Sequence, residues 1–242
     1  MKDAVGIDWP IKADRYVSYF DIMGFKDMVA RTTHDKIYEM MKSIIKKIES
    51  AKEANWLGPD IRLVRTATYS DSIFLYSKND SFNSLYSLIC ATAALTSSLL
   101  RDAIPHKGAV AFGTMTLDTG NSIFFGQPLI DAYLLQEDLN FYGIIVHSSF
   151  EQKLEEKGKE GGIPFIQDYL CPLKNGNAIH KTILPIFANI ADPDHQEFND
   201  ELFASFKKLR FKTSGHLREY IDNTELYLNS FKRSAKAGSI DV

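Results

Sequence analysis

Residues Tyr16–Phe25 read Tyr-Val-Ser-Tyr-Phe-Asp-Ile-Met-Gly-Phe, a run of aromatic and β-branched residues closed by an acid and a glycine turn. The run has the composition of a buried strand. Asp21 stands where such a strand stays apolar, and a buried carboxylate without a partner is costly. Gly24 follows, and a helical pattern opens near Lys26. Two readings fit. Asp21 is a strand-end acid that caps the next helix, or it holds a metal while backbone N–H groups of the turn, around Met23–Lys26, face phosphate.

Beyond this stretch, Lys26–Ala54 places Met28, Ile37, Met40, Met41, Ile44, Ile45 and Ile48 at helical spacing, one amphipathic helix or a broken pair. Trp56-Leu57-Gly58-Pro59 breaks it. Ile61–Thr68 and Ile73–Ser77 are β-rich around a polar Ser70-Asp71-Ser72 tip, which predicts a hairpin with an acid at its turn. A long apolar helix over 81–103 follows, then strands over 108–117 and 122–125 and a helix over 126–137. The remaining pattern predicts strands over 142–147, 165–170 and 182–190, a charged helix over 149–157, and helices over 197–211 and 217–231. Strand–helix–strand–strand–helix–strand is the ferredoxin-like order of an α+β fold. It makes the first strand central, beside the hairpin, so Asp21 and Asp71 converge although they are far apart in sequence. Two converging carboxylates beside a glycine turn suit Mg²⁺ or Mn²⁺ completed by substrate phosphates.

Composition closes several alternatives. A formal charge of −3 gives no basic field, so nucleic acid is not an expected partner. The two cysteines, Cys90 and Cys171, read as reduced core residues. The start of the chain lacks a signal-peptide pattern, and no stretch reads as the roughly 18 apolar residues of a membrane span, so a cytoplasmic protein without a membrane partner is expected. Histidine spacing offers no zinc site, and neither a nucleophilic triad nor a Walker loop is present. The basic cluster Lys207, Lys208, Arg210 and Lys212 reads as a solvated helix face.

Phe20-Asp21-Ile22-Met23-Gly24-Phe25 resembles the Asp-Ile-x-Gly-Phe motif of class III nucleotidyl cyclases, and Ser70-Asp71-Ser72 resembles their second metal motif. Lys107–Gly113 is similar to their strand ending in a small residue and glycine, and Phe125–Ile130 to the segment that opens their next helix. The four motifs fall in the family's order across residues 16–190. The resemblance implies a cyclase core over residues 1–192 and a helical extension over 193–242. It implies that Asp21 and Asp71 are the catalytic acids, that the metal lies at Asp21, Ile22 and Asp71, and that Ile22, Gly24 and Phe25 contact the nucleotide. It also implies a homodimer whose active sites lie at the interface.

The departures are specific. Ile130 and Leu134 stand at the family's transition-state Asn and Arg, with Asp131 one residue beyond Ile130, and Ala67 stands at the adenine-reading lysine. Ser-Asp-Ser together with Gly-x-x-x-Ile-x-Ala-Tyr-x-Leu looks most like the bacterial pyrimidine cyclases of Pycsar anti-phage defence. That likeness implies conversion of UTP or CTP into a 3′,5′-cyclic monophosphate that signals to a separate effector. Strand period puts positions 65, 67, 69 and 71 on one face. Arg65 can then read a pyrimidine carbonyl across Ala67 from the partner subunit, with Tyr69 shaping the pocket, or pair with a surface acid. Lys107 reads as a solvated strand-start lysine or a contact to phosphate or base, and Lys174 or Lys181 as a turn lysine or a triphosphate contact. A degenerate cyclase fold that only binds nucleotide, and a purine cyclase, are the alternatives.

Overall fold

Alternation decides which way each residue of β1 (Lys12–Ile22) faces. Tyr16, Phe20 and Ile22 enter one core, while Val17, Tyr19 and Asp21 point to the opposite face. The structure, a computed structural model, describes residues 9–53, 61–185 and 196–237. β2 (Val64–Tyr69) and β3 (Ser72–Ser77) form the expected hairpin, and β3 pairs antiparallel with β1. On its other side β1 pairs antiparallel with β4 (His106–Asp118) along its whole length. β5 (Ile123–Gly126) folds back on β4, which also pairs in parallel with β6 (Ile144–Val146). β7 (Ile166–Leu173) and β8 (Gly176–Ile183) complete the order β2-β3-β1-β4-β6-β8-β7. The first strand is central, as the element order requires.

The helices divide between the faces. Behind the sheet, α2 (His34–Glu53) contributes Ile44 and Ile48, and α3 (Phe82–Arg101) contributes Leu85, Leu88 and Ile89 to the core around Tyr16 and Phe20. α1 (Phe25–Arg31) is separate from α2, because the β-branched Thr32 is extended at φ −126°. By length and composition α3 passes as a membrane span, contrary to the expectation that no stretch does; 78% of the relevant window is buried, so its apolar side chains are core. α5 (Ser148–Lys157) adds Phe150 and Leu154 to the same core. In front, α4 (Gln127–Glu137) lies over the small residues Ala109 and Ala111.

α6 (Gln196–Lys212) and α7 (Leu217–Ala237) also join the front core. The fully buried Tyr227 packs on Phe141 and Tyr169, with ring centroids 4.9 and 4.8 Å away. Thr224 Oγ1 accepts from the Tyr142 N–H at 2.7 Å, and Asn223 Nδ2 donates to the Asn140 carbonyl at 2.8 Å.

Several boundaries differ from the sequence reading, among them β7, which runs on to Leu173, and α7, which runs on to Ala237. The last strand runs Gly176–Ile183 because its partner is β7 across a short turn; the later part of the expected 182–190 strand lies outside the described residues from 186 onward. The expected strand over 142–147 is reduced to Ile144–Val146, since Tyr142 is held by Thr224 on α7. Only Val64 onward of the β-rich stretch is strand; Ile61–Leu63 is a 3₁₀ turn. The expected break at Trp56–Pro59 lies outside the described residues.

Candidate active site

Cross-strand registers align three rows on the front face. The first is Tyr69–Ser72–Asp21–Lys107, the second Ala67–Phe74–Tyr19–Ala109, and the third Arg65–Tyr76–Val17–Ala111. The first row meets the hairpin tip. Tyr69 pairs with Ser72, so only Ser70 and Asp71 make the turn, with Ser70 at φ +56°. Asp71 is therefore a turn residue outside the strand alternation, a correction to the expectation that it shares the period of 65, 67 and 69. Its carbonyl accepts from the Ile22 N–H at 2.9 Å, which ties the tip to the end of β1.

The two acids are thereby brought together, and the charge of Asp71 acts on Asp21. Burial, then the charge of Asp71, raises the Asp21 carboxyl to about 6; Lys107 opposes the shift and Glu137 adds to it. Tyr19 O–H sits 2.9 Å from Ser72 Oγ, edge-on to Tyr133 of α4 at 5.7 Å, and burial pushes it to about 12. Asp21 is not a helix cap: the residue at that position is Gly24, at φ +74°, without a side-chain cap. Ile22 is buried and the Phe25 ring packs on the rear core, so both offer the site only their main chain. Of the turn amides, the Met23 N–H is taken by the Pro105 carbonyl at 2.9 Å. Those of Gly24, Phe25 and Lys26 open the helix and have no partner in its ladder.

The donor set suits a hard cation. Two carboxylates and a main-chain oxygen are what Mg²⁺ or Mn²⁺ takes from protein when phosphate and water supply the rest. Lys107 lowers the Asp21 carboxyl, but burial first and the Asp71 charge second outweigh it. Among the described residues no group of three or more His, Cys, Asp or Glu forms an all-protein cage.

A cleft of about 450 Å³ is lined by Tyr69, Phe74, Tyr76, Met115, Phe124 and Leu129; of the first row only Tyr69 reaches it, and neither acid lines it. Ala67 lies along it as well, in keeping with the space expected there. Arg65 does not line this cleft. Its guanidinium lies 4.2 Å from the centroid of Trp9, on the row farthest from Asp21. Ile130 and Leu134 are exposed on the outer face of α4, and Asp131 accepts from Gln127 Nε2 at 2.7 Å.

Lys107 corrects the sequence reading. It is buried, not solvated, and sits directly across from Asp21, because β4 begins one residue before it and the small residues after it let α4 close over the strand. Lys174 joins it through Glu137, whereas Lys181 is held at 2.9 Å by Asp168 on β7. Glu137 was not visible as a site residue in the sequence. The only available signal was its place at the end of the helix that follows Gly126.

His106, next to Lys107, has the opposite titration sense to Asp21. Nδ1 lies 2.9 Å from the Ile104 carbonyl, which fixes the Nδ1–H tautomer, and Nε2 is buried without a hydrogen-bond partner. Complete burial lowers its pKa from 6.5 to about 4. The unfolded chain takes up this proton before the folded chain does, so stability present above pH 6.5 is lost as the pH falls toward 4, by about 3 kcal/mol. Urea midpoints at pH 7 and 4.5 are expected to drop more in wild type than in His106→Gln; equal drops would contradict this.

No protein-family model matches the sequence, and no curated protein matches it. Among solved structures, the guanylate cyclase domain of RhGC from Catenaria anguillulae in complex with GTP superposes with a TM-score of 0.52 at 12% identity, over 72% of this chain and 98% of that one. The catalytic core of a rhodopsin-guanylyl cyclase with converted specificity, in complex with ATPαS, gives 0.51 at 11% identity, over 72% and 97%. The chain has the mixed α+β fold of the class III cyclase core.

Proposed function

We propose that the chain is a divalent-metal-dependent pyrimidine nucleotide cyclase that converts UTP or CTP into the 3′,5′-cyclic monophosphate and pyrophosphate. The observation that carries this reading is the joining of Asp21 to the Asp71 tip through the Ile22–Asp71 backbone bond. Asp21, Asp71 and the Ile22 carbonyl would hold Mg²⁺ or Mn²⁺, which supplies Lewis-acid chemistry: a more acidic ribose 3′-hydroxyl and charge for the triphosphate. The amides of Gly24 and Phe25 hold phosphate oxygens at the open end of α1. The apolar cleft excludes water and takes the base, with Tyr69 against it. Ala67, standing where adenine-reading enzymes carry lysine, favours a pyrimidine. Arg65 reads the base carbonyl only if it leaves Trp9.

The active unit is a homodimer. Ile123, Phe125, Ile130 and Leu134 are exposed along β5 and α4, and a second copy would cover them. Arg65 of each subunit then faces the acids of the other. The product serves as a cytoplasmic second messenger for a cyclic-nucleotide-responsive effector, the role that the Pycsar likeness suggests in antiviral defence. A second reading, nucleotide binding without turnover, is favoured by the apolar Ile130 and Leu134. The purine nucleotides of the two neighbouring structures define the competing base class. Phosphorus NMR of UTP and CTP incubated with protein and Mg²⁺ tests the reaction: pyrophosphate and cyclic monophosphate signals are expected to grow together. An unchanged triphosphate spectrum would leave the binding reading.

A further inference from the structure

The corner between α6 and α7 carries charge and apolar surface that the cyclase reading does not use. Residues Leu202–Arg218 read Leu-Phe-Ala-Ser-Phe-Lys-Lys-Leu-Arg-Phe-Lys-Thr-Ser-Gly-His-Leu-Arg. That is five lysines and arginines and no acid, in a chain of formal charge −3. Helical spacing sorts the side chains. Leu202 and Phe206 are buried in the front core, whereas Ala204, Lys207, Lys208 and Phe211 are exposed along the outer face of α6. Phe211 is 78% exposed, and Leu217 at the start of α7 is 47% exposed. One such side chain is ordinary on a protein surface. Here two stand on either side of the turn over 213–216, bracketed by cations.

The corner is held in place. Arg210 Nη1 lies 2.7 Å from Asp222 Oδ1 and 3.2 Å from Glu225 Oε2, which ties the end of α6 to α7. Thr213 Oγ1 donates to the Leu209 carbonyl at 2.9 Å, and Gly215 supplies the left-handed residue of the turn, at φ +71°. Tyr220 and Ile221 anchor the start of α7 in the front core. Phe211 and Leu217 are thus exposed on a fixed frame. The charge around them is one-sided as well. Arg210 already engages Asp222 and Glu225, so those acids do not offset the lysines. Ser205 Oγ donates to the Arg101 carbonyl at 3.3 Å where α6 meets the end of α3, and there Asp102 is paired with Lys47. Of the corner's own acids that leaves Glu219, in the first turn of α7, against Lys207, Lys208 and Arg218.

We infer that this corner docks on an anionic membrane leaflet, with Phe211 and Leu217 entering the headgroup region and Lys207, Lys208 and Arg218 against lipid phosphates. A nucleic acid would pair with the lysines but has no place for Leu217, whereas a leaflet takes both kinds of side chain. Docking of this kind is peripheral. It needs no spanning segment, and the expectation of no membrane partner rested on span length and on the start of the chain. It also requires neither metal nor nucleotide, so it stands or falls apart from the cyclase.

Flotation of the full chain with vesicles tests the surface, using phosphatidylcholine alone or with phosphatidylglycerol as about a third of the lipid. Binding is expected only with phosphatidylglycerol, and about tenfold weaker or more in high salt. At roughly fivefold per cation, Lys207→Gln combined with Lys208→Gln is expected to weaken it about twentyfold to thirtyfold. Phe211→Ser is expected to weaken it about tenfold or more. Leu226 is also exposed, but helical spacing puts it on the opposite side of α7 from Leu217, so Leu226→Ser is expected to bind like wild type. All four positions are exposed, which spares the fold. Phe211→Trp gives a direct readout: its emission should shift to the blue on phosphatidylglycerol vesicles and stay unchanged on phosphatidylcholine. Absence of vesicle binding, equal binding to phosphatidylcholine alone, or an equal loss in Leu226→Ser overturns the docking surface. Lysine-dependent binding of a short single-stranded DNA, with vesicles left unbound, also overturns it and assigns the corner to nucleic acid. Vesicle binding with these dependences, by a protein that cyclises no nucleotide, supports the surface and removes only the cyclase.

Discussion

Asp21→Asn is expected to abolish nucleotide cyclisation, by about a thousandfold or more, and to make the metal-free protein more stable. Activity falls because the variant loses one of two carboxylates that would hold the metal. Stability rises for the reason that makes the site useful. The Asp21 carboxyl is raised from 3.8 to about 6, first by burial and then by Asp71. A raised folded-state pKa means that the folded chain binds this proton more tightly than the unfolded chain. Its contribution is full below about pH 4 and is lost as the pH rises through 6. At pH 7.5 the ionised group therefore opposes folding. A shift of this size corresponds to about 3 kcal/mol if fully expressed, and solvent at the open side of the carboxyl reduces that to roughly 1–2 kcal/mol. Calorimetry in EDTA is expected to show Asp21→Asn melting about 2–5 °C above wild type at pH 7.5, with the gap closing near pH 4. A lower melting temperature at pH 7.5 would show that Asp21 is not held at a cost.

The second large effect is on folding. Gly108 pairs with Phe20 in the β1–β4 register, next to the Asp21–Lys107 pair. A Cβ there would sit 2.3 Å from the Tyr19 carbonyl oxygen and 2.7 Å from Ile144 Cδ1. The first contact is backbone on a central strand, so it cannot be relieved by a rotamer change. Gly108 N–H also donates to the Gly143 carbonyl at 3.0 Å, which anchors the strand from the other side. Gly108→Ala is expected to cost about 4 kcal/mol or more, enough to unfold a marginal domain. Gly162, with open space around its Cβ position, provides the control. Circular dichroism melts should show Gly162→Ala like wild type and Gly108→Ala unfolded or far less stable. A Gly108→Ala protein with an unchanged melt would contradict the β1–β4 register on which the site is built.

That register marks the boundary of what could be read from the chain. Asp21, Asp71 and Gly24 were legible because each breaks a local pattern: an acid in an apolar strand, an acid at a hairpin tip, a glycine before a helix. The order of elements then made β1 central, and the sheet has that order. Lys107 was misread because a lysine at a strand start is normally solvated. Its burial comes from α4 closing over Ala109 and Ala111, a packing effect that no single-strand period contains. Arg65 was placed on the correct face, yet its stacking on Trp9 depends on where the segment before β1 lies, which periodicity does not report. The C-terminal helices were recognised as helices, while their hold on residues 140–142 rests on three side chains, Asn223, Thr224 and Tyr227, that carry no local signal.

The most direct measurement is product identification by mass spectrometry from UTP, CTP, ATP and GTP, each incubated separately with Mn²⁺ and protein, beside an Asp71→Ala control. The account predicts a cyclic pyrimidine monophosphate that disappears in the control. A cyclic purine would overturn the base assignment drawn from Ala67, and no product from any nucleotide with folded, dimeric protein would contradict the cyclase itself.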